Sequence, residues 1–94
     1  MHNVLIIGVG SIGERHTRCF LTTGRAKVSI CEVNNELRNT IADRYDIEQT
    51  YDDLDAAMEA SFDLAVICVP AHLHIRIALR LAKAASTRFR TEGG

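Results

Sequence analysis

Short continuous apolar runs alternate along the chain with segments in which apolar residues recur at the spacing of a helix. Short apolar runs predict strands over residues 1–8, 27–31, 47–51 and 62–69. Helical patterns begin after Gly10, after Asn34 or Asn35, after Asp52 or Asp53, and after Pro70. Strands that alternate with helices through short connections predict an α/β fold with a parallel sheet and right-handed crossovers.

The polarity of each predicted strand indicates its place in that sheet. Strands 1–8 and 62–69 are apolar nearly throughout, which is typical of interior parallel strands. Strand 47–51 is polar between its ends, which favours a sheet edge. The tail, residues 86–94, lacks apolar periodicity and is predicted to be irregular, so the domain spans 1–85 and no fifth strand is expected. We therefore interpret the chain as the front part of a larger protein.

Apolar stripes mark the predicted helix faces. In the first helix, which ends at Gly24, the residues at helical spacing are Ile12, His16, Cys19 and Phe20. The last helix, 71–85, carries two stripes: Leu73, Ile77 and Leu81 form one, and Ile75, Leu79 and Ala82 form the other. A helix that is apolar over more than one face favours self-association. We expect a homodimer through this helix or through the open edge of the fourth strand.

A glycine-rich turn joins the first strand to the first helix. Gly8, Gly10 and Gly13 have the GxGxxG spacing, directly after an apolar strand. The first glycine permits a sharp turn, the second permits close approach of a pyrophosphate, and the third permits tight packing of helix on strand. The pyrophosphate would lie at the helix N-terminus, where unpaired N–H groups attract an anion. The motif predicts a dinucleotide site on a Rossmann-type sheet with strand order 3-2-1-4.

Glu32 ends the second strand, roughly 20 residues beyond the last glycine, where this fingerprint places an acid. Its carboxylate would accept hydrogen bonds from the adenosine ribose and repel a 2′-phosphate. We therefore expect NAD as cofactor rather than NADP, although Arg38 on the next helix can weaken that discrimination. The alternative is that Glu32 is an exposed loop residue without a ligand.

Composition and charge exclude several other classes. The net charge of −1 gives no electrostatic basis for binding nucleic acid or an anionic membrane. No apolar run reaches the roughly 20 residues of a membrane span, and no secretory signal is evident, so we expect a cytoplasmic protein. Cys19, Cys31 and Cys68 form no CxxC pair and are interpreted as reduced thiols. His72 and His74, two residues apart, do not suit a shared metal.

Two segments resemble one protein family. Residues 8–16 are similar to the GxGxxGxxH opening of the glucose–fructose oxidoreductase and inositol 2-dehydrogenase family. Residues 65–74 resemble its second signature, an apolar strand that ends in a proline- and histidine-containing loop, here with Ala71 in place of the usual asparagine. The resemblance implies pyrophosphate contacts from Gly8, Gly10, Ser11, Ile12 and Gly13. It also implies that Glu32 binds the adenosine ribose and that Val69, Pro70 and His74 approach the nicotinamide.

The resemblance also implies what the whole enzyme does. Members of this family move hydride between a nicotinamide cofactor and an alcohol carbon of a sugar or polyol. Their Glu-Lys-Pro motif and substrate-binding second domain have no counterpart in these residues. We therefore expect cofactor binding but no catalytic residue and no dehydrogenase activity from this chain alone. The alternatives are a stand-alone dinucleotide-binding or self-association module, and a flavin-binding half.

Overall fold

The computed structural model describes residues 1–69, 71–85 and 90–93. Strands and helices alternate along the chain as the sequence predicts. The strands are β1 (His2–Ile7), β2 (Ala26–Cys31), β3 (Thr50–Tyr51), β4 (Leu64–Ile67) and β5 (Arg90–Gly93). The helices are α1 (Ser11–Thr22), α2 (Asn35–Tyr45), α3 (Leu54–Met58) and α4 (Ala71–Ala85). In the described part of the chain, no helix has the length and apolar character needed to cross a membrane.

All strand pairs in the sheet are parallel, and the spatial order is β3-β2-β1-β4-β5. The predicted order 3-2-1-4 is confirmed. β1 lies at the centre, where Val4 aligns with Val28 of β2 on one side and with Leu64 of β4 on the other. From β1 the chain adds β2 and β3 on one side of the sheet, and it then crosses back to add β4 and β5 on the other side, so the strand order reverses between β1 and β4. This places a crevice at the carboxyl ends of these strands, where open α/β sheets bind ligands.

The prediction that residues 86–94 are irregular is wrong for 90–93, because these residues form β5. β5 pairs in parallel with β4, in a register that runs from Leu64 opposite Arg90 to Ile67 opposite Gly93. A ladder joins backbone N–H and C=O groups, so the polar sequence Arg-Thr-Glu-Gly can pair without apolar alternation. The edge of β4 proposed for self-association is therefore occupied by this chain's own backbone.

Side chains alternate between the two faces of the sheet and build a core on each. One core contains Leu5 and Ile7 of β1, against α3 and α4. The other contains Val4 and Ile6 of β1, against α1 and α2. β1 is buried on both faces, since residues 4–7 are at most 4% exposed. The strand that leads into the glycine turn is therefore held from every side.

The helix ends follow the predicted capping residues. Asn34 accepts a hydrogen bond from the Leu37 amide and begins α2, and Asp53 accepts one from the Ala56 amide and begins α3. Gly24 follows α1 with a positive φ of 68°, as expected for a glycine that ends a helix.

The predicted face of α1 is confirmed for Phe20, which packs against the core, and wrong for Ile12 and Cys19. The buried residues of this helix are Gly13 and Thr17, whereas Ile12 and Cys19 are exposed. Helix and sheet approach closely there because the side chains between them are small. The Thr17 hydroxyl donates to the Gly13 carbonyl at 2.8 Å, which satisfies its hydrogen bond inside the helix.

Candidate functional site

Gly8 makes the turn at the end of β1. Its φ of 89° is a conformation that side chains other than hydrogen disfavour. A Cβ at this position would lie 2.6 Å from the Cys68 carbonyl oxygen. The Gly8 amide donates to the Cys31 carbonyl at 2.8 Å, which fixes the turn to the end of β2. The structural role predicted for this glycine is confirmed.

Gly13 lies where α1 crosses the turn. A Cβ here would stand 1.8 Å from the Gly8 carbonyl oxygen, so no side chain fits between the helix and the turn. This contact confirms the tight packing predicted for the third glycine of the motif. It also brings the first turn of α1 directly over the end of β1.

Gly10 differs from the other two glycines of the turn. A Cβ added to it would meet no protein atom within 4 Å, and its φ of −65° is open to any residue. It begins α1 without a side-chain cap. The first helical bond runs from the Glu14 amide to the Gly10 carbonyl at 2.8 Å. The amides of residues 11–13 precede that bond and have no hydrogen-bond acceptor among the described residues.

Glu32 lies beside the turn at the carboxyl end of β2, and both of its carboxylate oxygens are hydrogen-bonded. Oε1 accepts from the Val9 amide at 3.0 Å, and Oε2 accepts from the Asn34 amide at 3.1 Å. The half-buried carboxylate thus joins the β1–α1 turn to the β2–α2 loop. Glu32 is therefore not an exposed loop side chain, as the alternative to ribose binding had it.

Arg38 holds the same β2–α2 loop from the side of α2. Its Nη1 donates to the Glu32 carbonyl oxygen at 2.8 Å, and its Nη2 donates to Asn35 Oδ1 at 2.7 Å. The guanidinium therefore lies next to the residue predicted to bind the ribose. A positive charge therefore stands beside the end of β2.

A groove of about 400 Å³ opens along the carboxyl ends of β1, β2 and β4. It is mainly apolar and runs from the glycine turn towards α4. Its lining residues are Ile7, Gly8, Gly10, Cys31, Glu32, Val33, Leu37, Leu54, Cys68, Val69, Leu73 and Ile77. An apolar groove with one carboxylate suits a ligand that combines a hydrophobic ring with hydroxyl groups.

The structure brings together only some of the residues predicted for the site. Gly8, Gly10, Glu32 and Val69 line the groove, and Ser11 and Ile12 are exposed at the adjoining start of α1. His74 is half-buried on α4 and is absent from the described lining of the groove. Pro70 lies outside the described residues.

Sequence reasoning missed the apolar wall of the groove. Val33 follows Glu32 and is 78% exposed, and Leu73 and Ile77 come from successive turns of α4. The sequence indicated part of this wall, because the helical spacing of Leu73 and Ile77 places both on one apolar stripe of the last helix. The sequence did not show that this stripe reaches the groove as well as the core.

The thiols near the groove are held in their neutral form. Burial, with a smaller contribution from Asp53 and Glu32, raises the pKa of Cys31 to about 11. Burial also raises the pKa of Cys68. Neither thiol is activated as a nucleophile. Among the described residues, no group of three or more histidine, cysteine, aspartate or glutamate side chains is arranged to hold a metal ion.

The doubly wound sheet, the glycine turn and the acid at the end of β2 together define a Rossmann-type dinucleotide-binding domain. The model of the Gfo/Idh/MocA oxidoreductase family, described as an NAD-binding Rossmann fold, matches residues 2–87. The chain therefore belongs to this family, and the predicted family resemblance is confirmed.

Solved structures with the same fold are much longer than this chain. The WlbA dehydrogenase from Bordetella pertussis, solved with NADH and UDP-GlcNAcA, is 23% identical with a TM-score of 0.80, over 88% of this chain and 26% of its own. Levoglucosan dehydrogenase, solved with NADH and levoglucosan, is 26% identical with a TM-score of 0.77, over 89% of this chain and 25% of its own. Apo scyllo-inositol dehydrogenase from Lactobacillus casei is 18% identical with a TM-score of 0.85, over 99% of this chain and 28% of its own. The chain thus spans about a quarter of each. A comparison with curated proteins found no match.

Proposed function

We propose that this chain is the nicotinamide-dinucleotide-binding domain of an oxidoreductase, with the cofactor pyrophosphate on the N-terminus of α1. The observation that carries the proposal is the contrast among the three glycines. Two of them are closed by protein contacts, whereas the space in front of Gly10 is empty. The amides of residues 11–13 border that space, and helix N-termini of this kind bind phosphate.

The carboxylate of Glu32 supports NAD as the preferred cofactor. It has lone pairs beyond those used by Val9 and Asn34, and these suit the hydroxyls of an adenosine ribose. A 2′-phosphate would meet the same negative charge and be repelled. Arg38 lies close enough to offset part of that repulsion, so we propose a preference for NAD rather than an exclusion of NADP.

The apolar wall of the groove suits the cofactor's ring systems. Val33, Leu54 and Leu73 offer hydrophobic surface on which an adenine can pack. By family resemblance, Val69, Pro70 and His74 remain our candidates for the nicotinamide side. When bound, the dinucleotide would supply the hydride acceptor, and the described residues would bind and orient it.

For the whole oxidoreductase we propose hydride transfer at an alcohol carbon of a sugar or polyol. The similarity to levoglucosan dehydrogenase supports this substrate class. The groove contains one carboxylate, Glu32, whose oxygens are engaged by backbone amides, and it offers no free acid–base pair among its described lining residues. This chain alone is therefore expected to bind the cofactor without turning over an alcohol.

Calorimetric titration of the purified chain with NAD, NADP and ADP-ribose tests the proposal. We expect NAD and ADP-ribose to bind with similar affinity and NADP to bind more weakly. Substitution Glu32→Ala should weaken NAD more than NADP. Absence of binding by all three ligands at millimolar concentration would contradict a dinucleotide site. Unchanged affinities in Glu32→Ala would contradict the role of Glu32 at the ribose.

One exposed surface favours a second function, self-association. Ile75 and Leu79 are 68% and 62% exposed and lie one turn apart on α4. Because β5 covers the edge of β4, this helix is the candidate surface that remains from the sequence prediction. Sedimentation of the chain at increasing concentration tests it. A homodimer that Leu79→Glu dissociates would support this function, and a monomer at every concentration would exclude it.

A further inference from the structure

The Val9 amide has an unusual environment for a loop residue between two glycines. Its N–H donates to Glu32 Oε1 at 3.0 Å, and its side chain is 1% exposed in the core beneath α1 and α2. Val9 is thus held at its side chain by packing and at its backbone by one carboxylate. In the described residues, Glu32 is the acceptor for this amide.

The carboxylate that holds Val9 is itself held in place by its own loop. Glu32 Oε2 accepts from the Asn34 amide at 3.1 Å, and the Glu32 carbonyl accepts from Arg38 Nη1 at 2.8 Å. Asn35 Oδ1 accepts from Arg38 Nη2 at 2.7 Å, which fixes the guanidinium. Hydrogen bonds to charged groups are stronger than neutral ones, so this chain of contacts resists movement of the loop.

We propose that Glu32 is a positioning residue for the glycine turn as well as the ribose ligand, and that Arg38 in turn positions Glu32. The Gly8 amide on one side of Val9 is fixed by the Cys31 carbonyl, whereas a Cβ on Gly10, on the other side, would meet no protein atom within 4 Å, so the backbone between them keeps some freedom. Glu32 removes that freedom by fixing the amide between them. The effect on ligands rests on the proposed function, whereas the effect on the turn does not.

The arrangement couples the two halves of adenosine diphosphate recognition. One carboxylate borders the ribose position and also holds the turn that precedes the phosphate-binding amides. Loss of Glu32 should therefore weaken a ligand that has phosphates but no ribose hydroxyls. A residue that contacts only the ribose would have no such effect, and this difference makes the inference testable.

The ligand experiment compares ADP with 2′,3′-dideoxy-ADP, which lacks both ribose hydroxyls. Calorimetry on the full chain should give about fivefold weaker binding of dideoxy-ADP by Glu32→Ala than by the unsubstituted protein. Glu36→Ala, an exposed acid in the first turn of α2, is the matched control and should leave binding unchanged. Equal affinity of Glu32→Ala and the unsubstituted chain for dideoxy-ADP would overturn the coupling.

A second experiment needs no ligand and decides the positioning role even if the chain binds no dinucleotide. Hydrogen exchange of the Val9 amide, followed by NMR, should be at least tenfold faster in Glu32→Ala, while the Ile6 amide in β1 stays unchanged. Glu32→Gln retains an oxygen acceptor and should keep most of the protection. Arg38→Ala should accelerate Val9 exchange by a smaller factor. Unchanged Val9 exchange in Glu32→Ala would overturn the proposal.

Discussion

Gly13 and Gly10 stand three residues apart in one turn, yet their surroundings are opposite. On the sheet side, a Cβ at Gly13 would be 1.8 Å from the Gly8 carbonyl oxygen. On the outer side, a Cβ at Gly10 would meet no protein atom within 4 Å. The same residue type therefore satisfies two different constraints. The sheet side of the turn is required by the fold, and the open side has no explanation within the described protein residues but suits a ligand.

The largest effect is expected on the packed side. Gly13→Ala would place a methyl group inside the contact between α1 and the turn, and backbone cannot yield as a flexible side chain can. We expect a loss of about 3 kcal/mol or more in the free energy of unfolding, measured by urea titration. Gly24→Ala is the matched control, since a Cβ there meets nothing and only its positive φ opposes it, at a cost of about 1 kcal/mol. Equal losses in both variants would contradict the packing argument.

The second-largest effect is expected on the open side, where a substitution should change ligand affinity but hardly change the free energy of unfolding. Gly10→Ala should change the free energy of unfolding by no more than about 1 kcal/mol, because the backbone there suits alanine and the space is empty. Its methyl group would enter the space proposed for the pyrophosphate, so ADP-ribose should bind at least tenfold more weakly. Parallel calorimetry and urea titration check both expectations. Unchanged affinity would place the diphosphate elsewhere.

The smallest effect concerns Cys31, whose carbonyl accepts the Gly8 amide beneath the packed side of the turn. Burial raises the pKa of its thiol from 9.0 to about 11, so the folded protein keeps this proton after the unfolded chain has lost it. Stability from this group is complete below pH 9 and falls as the pH rises towards 11, by up to about 1.4 kcal/mol per pH unit.

The measurement is the free energy of unfolding between pH 8 and pH 11, at intervals, for two cysteine variants. Cys31→Ala should show a shallower decline than the unsubstituted protein. Cys19→Ala is the control, because it also removes one cysteine but at an exposed position. A decline of the same slope in Cys31→Ala would show that other groups cause it.

Much of the fold follows from the sequence because its strongest signals are local. The apolar runs of β1 and β4 and the caps of α2 and α3 are set by neighbouring residues. β5 was missed because its pairing depends on the backbone edge of β4 and not on the polarity of Arg90–Gly93. The face of α1 was missed because close packing selected the small residues Gly13 and Thr17, whereas hydrophobicity pointed to Ile12.

The candidate site was predictable to a similar extent. The GxGxxG spacing and the position of Glu32 pointed to the corner of the sheet where the groove lies, because each motif residue has a distinct physical role. The hydrogen bond from Val9 to Glu32 was not predictable, since it depends on how two loops meet. The apolar wall from Val33 and Leu73 was also hidden, since it forms only where the β2–α2 loop and α4 border the same groove.

The central place of β1 has a consequence for how the protein is made. One edge of this strand pairs with β2, which follows soon after it in the chain. The other edge pairs with β4, which is synthesised later and whose Leu64 aligns with Val4. A nascent chain leaving the ribosome therefore carries a buried-type strand with one unpaired edge until residues 64–67 emerge. Non-local pairing of this kind is slow and leaves apolar surface exposed meanwhile. Synthesis paused before that point would leave β1 without one of its two neighbouring strands.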